Sequence, residues 1–204
     1  MIVEKRKNVT VGTRKPKKKK GNSKWKKREG WNYTYNWAKP YFKNSINAID
    51  VGCRGGEFAR LLENDFTHIY CYDFRDLHLT FKNKMQNASK FTYTVCGIGD
   101  VNNSIAYTKS DKVGRIKGHG LYKVNMRTID SFKLKDIGFI KYDIEGYELK
   151  ALKGSEQTIK KYWPTIIIEQ NRGDTLAQDL LESWGYKCMG VDQVFFQDYL
   201  MVRK

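Results

Sequence analysis

The stretch "NAIDVGCRGGEFARLL", residues 47–62, carries a short apolar run holding one acid, Asp50. It then breaks into Gly52, Gly55 and Gly56. Residues 47–52 read as a strand. Residues 57–63 read as a helix, because Phe58, Leu61 and Leu62 fall at i, i+3 and i+4. Glycines at a strand exit let the chain turn sharply and let a ligand approach the main chain. From Gly52 the spacing is GxxGG and not GxGxxG, and Arg54 takes the place of the second tight glycine. Pyrophosphate binding is therefore disfavoured, and the absence of GKS/T excludes a P-loop. An acid two residues before the first glycine suits a cationic amine. The competing reading is a tight strand-to-helix turn with no ligand.

Outward from this turn, strand-like and helix-like segments alternate. Residues 68–73, "HIYCYD", form a second strand ending in Asp73, which suits a ribose diol. S-adenosylmethionine, with an amine and a ribose but no phosphate, fits these features. Residues 77–84 read as a weak helix and 91–98 as a third strand. Residues 99–123 are polar and glycine-containing, an insertion or hairpin. Residues 138–146, "GFIKYDIEG", give a fourth strand ending in acids. Leu149, Leu152 and Ile159 then share one helix face, closed by Pro164. "TIIIEQN" is a buried strand, Asp174 caps a helix over 175–184, and Gly185 stops it. Residues 186–191 and 199–202 close the chain as an antiparallel pair. Such alternation predicts a mostly parallel sheet covered on both faces, with ligands beyond the carboxyl ends of its strands.

Charge is unevenly placed. The chain has 204 residues and a net charge of +16. Residues 1–30 hold 13 Lys/Arg against Glu4 and Glu29, or +11, leaving +5 for the rest. This segment has no apolar periodicity and reads as a disordered tail, followed by a domain over 31–204. Its clustered cations suit a phosphate backbone, an anionic surface or an acidic protein, with Trp25 available for stacking. A purely solubilising tail is the alternative. Residues 31–45 begin "WNYTYNWAKPYF", an aromatic cover beside the ligand pocket. Cys53, Cys71, Cys96 and Cys188 lack CxxC spacing and read as reduced thiols. With no apolar run of spanning length and no secretory leader, the expectation is a cytoplasmic protein.

Residues 139–171, "FIKYDIEGYELKALKGSEQTIKKYWPTIIIEQN", resemble the signature of the FkbM family of S-adenosylmethionine-dependent methyltransferases. Lys141, Asp143, Glu145, Gly146, Glu148, Leu152, Gly154, Pro164 and Glu169 fall at matching steps. "IDVGCRGGEF" is similar to the family's opening, "VNMRTIDSF" to its short strand before the core, and "DYLMVRK" to its closing strand. The second strand departs, ending Asp73-Phe74 where the family commonly has Glu-Pro. The resemblance implies a Rossmann-like class I methyltransferase: a seven-stranded, mostly parallel sheet, last strand antiparallel, helices on both faces. It also implies methyl transfer to oxygen.

On this reading Asp50, Gly52 and Gly56 touch the methionine end of the cofactor, Asp73 holds the ribose and Asp100 lies near the adenine. Gly52→Val is then expected to block the cofactor and spare the fold. Asp143 and Glu145 meet the acceptor, Asp143 as base or orienting group. Glu145 alternatively caps the following helix. Glu169 could complete an acidic cluster, but no metal is assigned, and His119 could act as a loop base. The expected activity is O-methylation of a small-molecule or glycan hydroxyl. Alternatives are an RNA methyltransferase using the basic tail, and a non-catalytic binding module on the same fold.

Overall fold

A computed structural model describes residues 23–109, 121–171, 173–192 and 197–204. His119 and the first 22 residues lie outside the described residues. In chain order the elements are α1 (Ser23–Ala38), β1 (Asn47–Val51), α2 (Ala59–Leu62), β2 (His68–Asp73), α3 (His78–Lys82), β3 (Phe91–Val95), β4 (Gly97–Ile98), β5 (Ser104–Lys109), β6 (Leu121–Arg127), β7 (Ile137–Tyr142), α4 (Glu148–Lys153), α5 (Glu156–Tyr162), β8 (Thr165–Glu169), α6 (Leu176–Ser183), β9 (Tyr186–Asp192) and β10 (Asp198–Arg203).

Seven strands form one sheet in the order β3-β2-β1-β7-β8-β10-β9. β1 pairs in parallel with β2 and β7, and β7 with β8. β10 runs antiparallel to both β8 and β9. The expected Rossmann-like sheet, last strand antiparallel, is what forms. Its central strands are mostly apolar because both faces are covered: all six residues of β7 are buried, Lys141 among them. On one face Ile49, Ile140, Ile166 and Ile168 pack with Leu152, Ile159 and Leu181 of α4, α5 and α6. On the other, Ala48, Phe139, Ile167 and Leu200 pack with Ala38, Leu62 and Phe81 of α1, α2 and α3. Each such fully buried aliphatic side chain contributes about 1.5–3 kcal/mol.

Several boundaries differ from the sequence reading. The run over 91–98 is two strands. β3 stays in the large sheet, while β4 pairs with β6 in a second, three-stranded sheet of order β4-β6-β5. The polar insertion is the β5–β6 hairpin of that sheet. The helix expected to run on to Pro164 is two helices, divided at Gly154, where a Cβ would stand 1.9 Å from the carbonyl oxygen of Gly99. Asp130 receives the exposed start of α5, accepting from the N–H groups of Gln157 (3.1 Å) and Thr158 (2.8 Å). The helix expected over 57–63 is shorter, at Ala59–Leu62. Asp174 does accept from the Leu176 N–H, at 3.0 Å, and Gly185 has φ +103°. All four cysteines are free thiols.

α1 crosses the boundary drawn at residue 30. Its Trp31, Tyr35 and Trp37 pack on the face of β7, β8 and β10. Among the described residues no helix is long and apolar enough to cross a membrane.

Candidate active site

Strand alternation sends Asp50 and Lys141 to the same face, side by side on β1 and β7. One step further along, Asp143 follows β7 and its N–H bonds Val51 O at 3.0 Å. Glu169 ends β8, opposite Asp198 on β10, which in turn stands opposite Asp192 on β9. The carboxyl rim beneath α1 is thus a row of acids above one buried ammonium. Lys141 is 3% exposed; its Nζ lies 2.7 Å from Asp143 Oδ2 and 5.4 Å from the Phe58 ring centroid. α1 reaches this row too, since Thr34 Oγ1 donates to Asp198 Oδ2 at 2.9 Å.

The acids do not share one protonation state. Burial pushes Asp50 up to about 7, against the pull of Lys141. Burial likewise raises Asp198 to about 6. Burial opposes the charge on Asp143 as well, but Lys141, a hydrogen bond with Glu169 and the Arg54 cation outweigh it and hold this carboxylate below its usual range. Glu169 moves the other way, raised by burial and by Asp143 beside it. Of the two, Asp143 is the one whose surroundings favour the charge. The same three acids, Asp143, Asp198 and Asp50, outweigh the burial of Lys141 and keep it charged.

The glycines serve the chain itself. Gly52 has φ +87°, and a Cβ there would stand 1.9 Å from the carbonyl oxygen of Asp143. Gly56, at φ +81°, would strike Met85 and Phe81. In both cases the close neighbour is protein, so chain packing alone accounts for the glycine. Asp73 is saturated. Arg75 grips it through Nε (2.7 Å) and Nη2 (2.8 Å), and the backbone N–H groups of Arg75 and Arg54 add two bonds of 2.9 Å.

Glu145 is exposed with φ +55°, and helix α4 begins only at Glu148. The N-cap position is Tyr147, which makes no side-chain cap bond; Glu148, the first residue of α4, accepts from Ile144 N (3.0 Å) and Gly146 N (2.9 Å) and so ties down the loop after Asp143. Asp100 is exposed and lines a depression of about 260 Å³ with Met126, Tyr147 and Lys150. A larger one, about 560 Å³, lies between α3 and β3, lined by Asp76, Leu77, Tyr93 and Val95. Among the described residues no group of three His, Cys, Asp or Glu is arranged to hold a metal ion. Lys141, Arg75 and Asp198 carry no role in the sequence reading. Strand alternation puts Lys141 on the face of Asp143; Asp198 is found only once the register of β10 is known.

A seven-stranded sheet with this order and an acidic rim defines a Rossmann-like methyltransferase fold. Residues 40–188 match the family model described as the methyltransferase FkbM domain, well over half of the chain. The chain belongs to the FkbM family of methyltransferases. Among curated proteins none matches this sequence. Solved structures share the fold at low identity. The methyltransferase FkbM of Methylobacillus flagellatus KT superposes with a TM-score of 0.55 at 20% identity, over 78% of this chain and 44% of that one. The chain thus spans less than half the length of that protein. The N-methyltransferase NodS of Bradyrhizobium japonicum WM9 gives 0.54 at 11% identity, covering 89% and 98%. Magnesium protoporphyrin IX methyltransferase of Synechocystis PCC 6803, with bound S-adenosylmethionine, gives 0.52 at 9%, covering 88% and 81%.

Proposed function

We propose that the protein transfers the methyl group of S-adenosylmethionine to a hydroxyl oxygen oriented by Asp143. The observation that carries this is the Lys141–Asp143 pair: a buried ammonium 2.7 Å from a carboxylate that keeps 27% of its side chain exposed at the rim. The cofactor supplies an electrophilic methyl on a positive sulfur. Asp50 suits its amine, because Oδ2 of this buried side chain has no hydrogen-bond partner. Asp73 suits its ribose only if Arg75 lets go.

The lowered basicity of Asp143 supports an orienting role. Held ionised, it accepts a hydrogen bond from the acceptor hydroxyl and aims an oxygen lone pair. It is too weak a base to remove that proton beforehand. An oxygen that has just gained a methyl while keeping its proton is a far stronger acid than a carboxylic acid, so Asp143 takes the proton as the bond forms. A hydrogen bond with Glu169 also favours the charged form of Asp143, and Glu148 fixes the loop that follows.

Asp143→Asn is expected to keep S-adenosylhomocysteine affinity within a few fold and to lower turnover by roughly 10²–10⁴. Calorimetry and label transfer to separated RNA, glycan and metabolite pools measure both. Unchanged turnover removes Asp143 from the chemistry.

A further inference from the structure

α1 has a direction. Thr34 is fastened to Asp198 at the carboxyl rim. The chain after Ala38 is fastened at the opposite edge of the sheet, where Thr165 at the start of β8 donates to Tyr41 O and Lys43 N donates to Gly138 O near the start of β7. The helix therefore runs from the rim toward the base, and its first half lies on the rim side. At about 1.5 Å per residue, Ser23 stands roughly 16 Å along the axis from Thr34.

This rim-side end is cationic in sequence. From Ser23 to Glu29 it holds Lys24, Lys26, Lys27 and Arg28 against Glu29 alone, with Trp25 among them. Tyr33, one turn further on, is 44% exposed. A second cation comes from another element: Arg54, exposed in the turn after β1, is close enough for its charge to act on Asp143. The acids beneath oppose an anion less than their number suggests, because Lys141 sits among them.

We propose that the acceptor is RNA, held by the N-terminal end of α1 so that a ribose hydroxyl reaches Asp143. Cations in a row neutralise phosphates, and aromatic side chains between them stack on bases without reading sequence. The sequence alone favours a small-molecule or glycan acceptor. The direction of α1 shifts the choice, since its basic end leaves the sheet on the rim side and not at the base. The inference rests on the methyl-transfer reading.

The test uses the full chain and two variants. One carries Lys24→Gln, Lys26→Gln, Lys27→Gln and Arg28→Gln, which keep helix-forming residues. The other carries Lys17→Gln, Lys18→Gln, Lys19→Gln and Lys20→Gln, an equal loss of charge outside the helix. Binding of a fluorescent single-stranded RNA of roughly 20 nucleotides, in a salt series, is followed with label transfer to it and S-adenosylhomocysteine affinity. The helix variant is expected to bind RNA at least about tenfold more weakly, with a log–log salt slope shallower by about 3, at about 0.7 per phosphate. Methylation of RNA should fall with it while cofactor affinity holds, and the tail variant should lose less. Equal losses in both variants, RNA binding insensitive to the helix charges, or label found only in glycans or metabolites overturns the inference. A parent chain that binds no cofactor instead overturns the methyl-transfer reading.

Discussion

Lys141 Nζ lies 2.7 Å from Asp143 Oδ2, with the ammonium 3% and the carboxylate 27% exposed. The ion pair is therefore one-sided: its cation is sealed in the sheet and its anion meets the surface. Removing the sealed partner leaves Asp50, Asp143 and Asp198 without their common counter-charge. Lys141→Met is expected to destabilise the protein by about 3–5 kcal/mol, the range for breaking a buried pair. Denaturant unfolding measures this, and an unchanged midpoint would show that the rim does not depend on Lys141.

Stability should fall as pH rises through neutrality. Asp50, at about 7, and Asp198, at about 6, are raised above the usual 3.8. Between those values the folded chain keeps protons that the unfolded chain has released, so unfolding becomes easier with rising pH. This stabilisation is complete below about pH 4 and gone above about pH 7. Asp50→Asn removes one share of it and should raise stability at pH 8 by roughly 2–4 kcal/mol. Melting curves from pH 5 to 8 check this; parallel curves for parent and variant would contradict it.

Gly52→Ala tests the turn. The sequence alone predicts that Gly52→Val spares the fold and blocks a ligand. The structure corrects this, because a Cβ would collide with the Asp143 carbonyl at 1.9 Å and φ is +87°. The expected loss is about 3 kcal/mol or more of folding stability, from overpacking and left-handed strain together. A variant of parent stability that merely loses cofactor would restore the original reading.

Arg75→Ala addresses the ribose site. Asp73 spends two of its four hydrogen bonds on the Arg75 side chain. If Asp73 holds the ribose, removing that side chain should tighten S-adenosylhomocysteine binding about threefold to tenfold, or roughly 1 kcal/mol. Weaker binding in calorimetry would take the ribose away from Asp73.

The alternation of strands and helices was legible because each segment carries its own period: β1, β2 and β8 lie within a residue or two of the sequence reading, while β7 ends at Tyr142, before the acids the reading included in it. What was not legible depends on residues far apart in the chain. Gly154 ends a helix because Gly99 approaches it from the other sheet. Gly52 invites a ligand in sequence and meets Asp143 in space. Asp50, Asp73, Asp143 and Glu169 could be placed at one rim from strand ends alone. Asp198 joins them only through the register of β10 against β8, which no local pattern sets. Lys141 reads as a position of the family-like signature with no role of its own, and only its burial makes it the centre of the row.

Thr34 and Asp198 are 164 residues apart. A ribosome releases the N-terminal region first. α1 therefore leaves it long before its partner at the rim has been made, and the contact forms only once β10 has been inserted between β8 and β9. Long-range closures of this kind come late. The docked helix is thus a record of completed assembly: Thr34 takes up its place at the rim only in a chain whose whole sheet has formed.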